Sequence, residues 1–208
     1  MRLIVGSVGW DHPGWSEQFY PDDLPPEWRL SYYANEFQMV LLPLDCWLAG
    51  NQEQLCAWRE DVSDRFDFIL DITGMATGDV NAMAQLDRCQ AALGDRLAGV
   101  ASWVSLAEPV RGRVQSLLGA EARFLAAATD PLEQESTVQV ASNAAIGCAL
   151  IPGDAGRDLK WLRLVMESLA ARFSGASALR LFFAGVPPQV QVMREAVILW
   201  QLLYGSGR

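Results

Sequence analysis

Lysine and histidine are almost missing from this sequence: Lys160 and His12 stand alone, the arginines are scattered, and the formal net charge is −9. A surface that tracks phosphates needs a basic patch, so nucleic acid is not an expected partner. One histidine leaves no second imidazole to activate a thiol or hydroxyl. With no GxSxG present, Ser7 in Gly6-Ser7-Val8-Gly9 is a weak nucleophile candidate. Cys46, Cys56, Cys89 and Cys148 show neither CxxC nor zinc spacing, and read as reduced, mostly buried thiols of a cytoplasmic protein. The opening MRLIVGSVGWD has too short an apolar run for a signal-peptide core. No apolar run approaches the ~20 residues that cross a bilayer, so no membrane association is expected. Neither GxGxxG after the first strand-like run nor GxxxxGK[ST] occurs, which removes the usual evidence for a nucleotide-binding open sheet. No cofactor is expected.

What remains is apolar and aromatic. Apolar residues make up 51% of the chain and charged ones 20%, with eight tryptophans. This is the composition of a globular chain, and 208 residues fit one domain, taken as 1–208. Leu3 to Val8 reads as a buried strand. Helix and strand then alternate: a helix over Glu27 to Glu36, a strand over Gln38 to Leu44, a helix over Asn51 to Asp61 capped by Asn51, a strand over Phe66 to Ile72. A helix over Asp79 to Leu93 stops at Gly94, followed by a strand over Leu97 to Val104, a helix over Glu108 to Leu118 and a strand over Ala122 to Ala128. The alternation then fails. Val138 to Ala141 and Ile146 to Ile151 are both strand-like, but only about four residues part them, and parallel neighbours need roughly a dozen. They form a hairpin, or one lies outside the sheet. A helix over Arg157 to Phe173, a strand over Ala178 to Phe183 and a helix over Gln189 to Tyr204 resume the order. The expected fold is α/β, a TIM-type (β/α) barrel that is incomplete or distorted around residues 129–153.

The stretch Gly6-Ser7-Val8-Gly9-Trp10, with Pro13, Trp15, Phe19-Tyr20-Pro21 and Leu24-Pro25, resembles the N-terminal signature of the YecE-like family, domain of unknown function 72. Tyr32-Tyr33, Phe37, Leu93-Gly94-Asp95 and Leu97 extend the likeness. The resemblance implies a TIM-type barrel about one strand–helix unit longer than this chain, with no assigned activity. It also implies a polar centre that this chain lacks. Where the family's second strand reads F-N-T-V-E-I-N, this one runs Phe37 to Pro43 with Leu41 and Pro43 in place of Glu and Asn. Asp71 stands where the third strand ends in Lys. Glu-x-Arg-His-Pro falls on Ala127 to Pro131, Arg-x-His-Gly on Leu150 to Gly153, and Phe-Asn-Asn on Phe183-Ala184-Gly185. Active sites of such barrels gather at the C-terminal strand ends, so the resemblance implies a barrel that has lost its proton donors and anion clamp.

No catalytic residue is assigned from the sequence. The ligand-binding candidates are Trp10, Trp15 and Trp47, as the floor of a pocket, with Asp11, His12, Asp45 and Asp71 beside them at strand ends. Two readings follow. In the first the chain is a binding or interaction protein, a pseudoenzyme of the family. In the alternative it is a metal-assisted hydrolase, with Mg²⁺ or Mn²⁺ held by Asp11, His12, Asp45 and Asp71, and Asp130 and Asp154 as further carboxylates. Trp28, Trp58, Trp161 and Trp200 lie on predicted helices and are expected to pack on the barrel. An incomplete side would expose a strand edge, so a homodimer or a protein partner covering that side is expected.

Overall fold

The strand expected over Leu3 to Val8 is β1, Arg2–Val8, followed by Gly9. Gly6 is needed there because a Cβ at this position would sit inside the Met39 carbonyl of the neighbouring strand. The computed structural model describes residues 1–16, 18–76, 79–118, 124–127, 138–143, 145–153 and 158–205. Asp130, Asp154, Gly119 and the stretch aligned with Glu-x-Arg-His-Pro after Ala127 lie outside the described residues.

A 3-10 turn, Pro26–Trp28, leads into α1, Arg29–Glu36, followed by β2, Met39–Leu42, and a short helix α2, Leu44–Ala49. Next come α3, Gln52–Glu60, β3, Asp67–Asp71, and α4, Val80–Leu93. Asn51 caps α3 as expected, its side chain accepting from the Gln54 N–H, and Gly94 ends α4 at φ 57°. β4, Leu97–Ala101, α5, Glu108–Leu118, and β5, Phe124–Ala127, continue the alternation. The chain closes with β6, Gln139–Ser142, β7, Ile146–Ile151, α6, Leu159–Arg172, β8, Ala178–Phe183, and α7, Val190–Tyr204.

The eight strands form one closed ring in sequence order, with β8 hydrogen-bonded to β1. The distortion expected around residues 129–153 is an inversion. β6 runs antiparallel to both β5 and β7, and the β6–β7 pair is a hairpin turned at Asn143, whose side chain accepts from the N–H of Ala145 and Ile146. An antiparallel strand needs no helical crossover to its neighbour, so the chain closes its ring without the missing unit. The strand edge expected to need a covering partner is therefore filled by β6.

Two apolar layers result. Outward residues of the strands, such as Val40, Phe68, Leu70 and Leu181, pack under the helices. Inward residues form a separate cluster: Met39, Leu41, Ile69, Ala101, Leu125, Ala141, Cys148 and Phe182, one or two from each of β2 to β8, joined by Trp103. Ile4 and Val8 of β1 pack against it. The barrel centre is thus filled by side chains. Beneath this plug, Arg180 of β8 reaches across to Asp67 of β3 at 2.8 Å, a pair between strands that are not neighbours.

Candidate functional site

The C-terminal strand ends, where this fold builds its sites, carry three groups of candidates. The tryptophans come first, and they are core. Trp10 sits edge-on against Trp58 at 4.9 Å, and Trp15 stacks on Tyr33 at 6.0 Å with Phe19 and Tyr20 around it. Trp15 Nε1 donates to the Pro188 carbonyl at 2.7 Å, tying the loop after β1 to the start of α7. Trp47 of α2 donates to the backbone carbonyl of Asp71 at 2.9 Å, while its own carbonyl accepts from the buried Gln85 side chain. All three rings are buried in the layer between sheet and helices.

The polar candidates are engaged separately. Asp11 is exposed and ion-paired with Arg29, whose guanidinium lies over the Tyr20 ring. His12 Nε2 donates to the Val8 carbonyl at 2.9 Å, and its ring meets Trp15 edge-on. Burial holds the His12 pKa below its usual value, against the raising influence of that carbonyl, the Gly9 backbone and Asp11. Asp45 accepts from the neighbouring Cys46 N–H in the first turn of α2. Asp71 Oδ1 accepts from the Thr73 N–H at 2.8 Å. Among the described residues, no three His, Cys, Asp or Glu side chains stand close enough to hold a metal ion. The set Asp11, His12, Asp45 and Asp71 is not brought together as a metal centre: Asp11 pairs with Arg29 of α1, and the other three are engaged by backbone groups within four residues of themselves. Ser7 is no better placed as a nucleophile. Its N–H and hydroxyl both donate to the Tyr33 hydroxyl, itself bound to the Met39 carbonyl, in a buried network.

Asp71 is the candidate with the most distinctive surroundings. Two residues beyond the inward Ile69, it points into the barrel mouth. Thr73 Oγ1 accepts from the Trp103 N–H at 2.9 Å, so Asp71, Thr73 and Trp103 link the ends of β3 and β4. Trp103, which the sequence reading left aside, is buried against Phe182 at 6.3 Å and closes the plug from above. Its indole Nε1 has no hydrogen bond of ordinary geometry, yet lies near enough to the Asp71 carboxyl to favour the charged form. Desolvation outweighs this and the Thr73 contacts, and raises the Asp71 pKa. The folded state therefore holds more protons than the unfolded one as pH climbs from 3.8 to the raised value. Stability falls with rising pH across that window. Asp71→Asn is expected to lack this component, read as the denaturant midpoint against pH in both proteins; parallel curves would contradict it.

Two of the positions where the resemblance implies polar residues are apolar in space as well as in sequence. Leu41 and Leu150 belong to the inward cluster. Gly153 and Gly185 approach so closely that a Cβ on Gly153 would collide with the Gly185 backbone, and Gly185 has φ 137°. A shallow cleft of about 20 Å³ lies beside them, between Phe183, Trp161 and the first turn of α7. That is room for roughly one water. Three of the thiols are held protonated: burial pushes Cys46 up to about 11, and Cys89 and Cys148 to about 12.

The model of DUF72, described as "Protein of unknown function DUF72", matches residues 4–129. The chain belongs to the DUF72 family. The matched stretch runs from within β1 to two residues past β5 and stops before the inverted strand, where the sequence alternation fails. The likeness in three dimensions continues further. A DUF72 family protein from Thermotoga maritima MSB8 shares 11% identity with a TM-score of 0.54, covering 98% of this chain and 99% of its own. One from Enterococcus faecalis V583 shares 12% with a TM-score of 0.58, covering 97% and 96%. These likenesses establish the fold. The comparison with curated proteins returned no match. Among the described residues, no helix is long and apolar enough to cross a membrane.

Proposed function

We propose that this DUF72 chain is a cytoplasmic binding or interaction protein without catalysis at its barrel centre, a pseudoenzyme of its fold. The observation that carries the reading is the barrel mouth: Trp103, beyond the end of β4, packs on Phe182 of the inward cluster, at the C-terminal face where a barrel enzyme would hold substrate. Asp71 is the one inward carboxylate at the described C-terminal strand ends, and its neighbours are an amide, a hydroxyl and an indole. A general acid or base needs a reacting atom within hydrogen-bond reach, and here the Asp71 carboxyl is already taken up by the Thr73 N–H. Four free, high-pKa or half-buried thiols agree with a reducing compartment. Of the binding candidates, Asp11 and Asp45 are exposed, His12 and Asp71 half-buried, and Trp10, Trp15 and Trp47 buried. Binding in this reading passes to the outer surface.

The test is turnover of activated esters, phosphate esters and glycosides, with and without Mg²⁺ or Mn²⁺. The expected result is no rate above the protein-free control. A rate that disappears in Asp71→Asn while the fold is retained would sink the reading.

A further inference from the structure

Trp28 is 63% exposed and Tyr32 37% exposed, although both lie in the segment expected to pack on the barrel. The cause is local. Pro25 and Pro26 enforce a 3-10 turn ahead of α1, which leaves Trp28 outside while Leu30 and Tyr33 take the buried face. Trp28 ends the turn and Tyr32 lies in the first turn of α1, four residues on, so the junction of turn and helix presents both rings to solvent. The Tyr32 ring is held edge-on against Phe19 at 5.5 Å and Tyr20 at 5.7 Å, so this part of the surface is rigid.

The charge around the two rings has one sign. Asp22, Asp23 and Glu27 are exposed and carry no ion pair among the described residues. The nearby guanidinium groups are already neutralised, Arg29 by Asp11 and Arg194 by both oxygens of Glu36. An exposed indole preceded within six residues by three unpaired carboxylates is complementary to a cation, and a guanidinium matches it best, being planar and weakly hydrated.

We propose that the face formed by Trp28, Tyr32, Asp22, Asp23 and Glu27 docks an arginine-bearing segment of a protein partner. This rests on the binding reading above and names the chemistry of the partner. Guanidinium stacks on Trp28, and the carboxylates supply steering and the rim contacts. An acidic segment is rejected by the same charges.

The test uses the full chain, ¹⁵N-labelled, titrated at low salt with a synthetic peptide of alternating arginine and glycine, and with its glutamate counterpart. The Trp28 indole N–H, identified by its loss in Trp28→Phe, is expected to move progressively with the arginine peptide alone. Affinity is expected to fall about tenfold in Trp28→Ala and in the triple variant Asp22→Asn, Asp23→Asn, Glu27→Gln, and to weaken with salt. These side chains are exposed, and an unchanged unfolding midpoint verifies that the variants fold. An unmoved indole at millimolar peptide, an equal response to the glutamate peptide, or undiminished binding by the triple variant would overturn the proposal. The readout is independent of turnover, so its failure is distinct from a failure of the non-catalytic reading.

Discussion

Asp67→Asn is expected to lower stability by about 3 kcal/mol, because it leaves the Arg180 guanidinium inside the barrel with no counter-charge. The Arg180 side chain is 8% exposed and Asp67 29%, so the arginine is the partner that cannot turn to water. Its Nε already lacks a hydrogen bond, which leaves the Asp67 contact as its main compensation. Removing both charges together, as Asp67→Leu with Arg180→Met, is expected to return stability to within about 1 kcal/mol of the wild type. The measurement is the urea midpoint at unchanged slope. The exposed pair Arg194–Glu36 is the internal control, since surface pairs contribute about 0.5 kcal/mol. If Asp67→Asn behaved like Glu36→Gln, the pair would not be the strut beneath the plug.

Trp15→Ala is expected to be at least as damaging, at about 4 kcal/mol. The ring is buried among Phe19, Tyr20 and Tyr33, and no neighbour is small or mobile enough to fill its space. Trp15→Phe keeps much of the ring and removes the N–H donated to Pro188, so it separates packing from the hydrogen bond, which contributes about 1 kcal/mol. Because that bond joins the loop after β1 to the start of α7, the amide protons at both ends are expected to exchange faster in Trp15→Phe. A loss below about 1 kcal/mol in Trp15→Ala would mean that the aromatic loop is surface dressing.

The barrel was legible because its strands are short apolar runs closed by glycine or polar turns, and its helices carry caps such as Asn51 and stops such as Gly94. Spacing alone excluded parallel neighbours at Asn143, since four residues cannot carry a crossover, and left a hairpin or a strand outside the sheet; the structure shows the hairpin. That β6 would close the ring was not legible, because pairing partners far apart in sequence leave no local trace. The helix α2 was missed for its length; six residues after Pro43 show no periodicity. Trp47 looked like a loop residue for that reason, and burial in α2 is what removed it from the candidate site. Trp28 failed in the opposite direction: its helical spacing promised burial, but the Pro26–Trp28 turn rotates it outward. The Arg180–Asp67 pair joins residues 113 apart, and neither flank marks them as partners. The apolar substitutions at Leu41 and Leu150 were read in sequence and stand inside the barrel in space.

The measurement that bears most directly on the silent barrel is thermal unfolding with divalent metals, phosphates, sugars and nucleotides. A ligand at a hundred times its dissociation constant adds about 2.7 kcal/mol, and each kcal/mol moves the midpoint of a chain this size by roughly 2–4 °C. The plugged interior predicts no shift with any of these small ligands, in the wild type and in Asp71→Asn alike. A rise of several degrees that vanishes in Asp71→Asn would mean that the mouth of the barrel opens to a ligand, and would contradict the account.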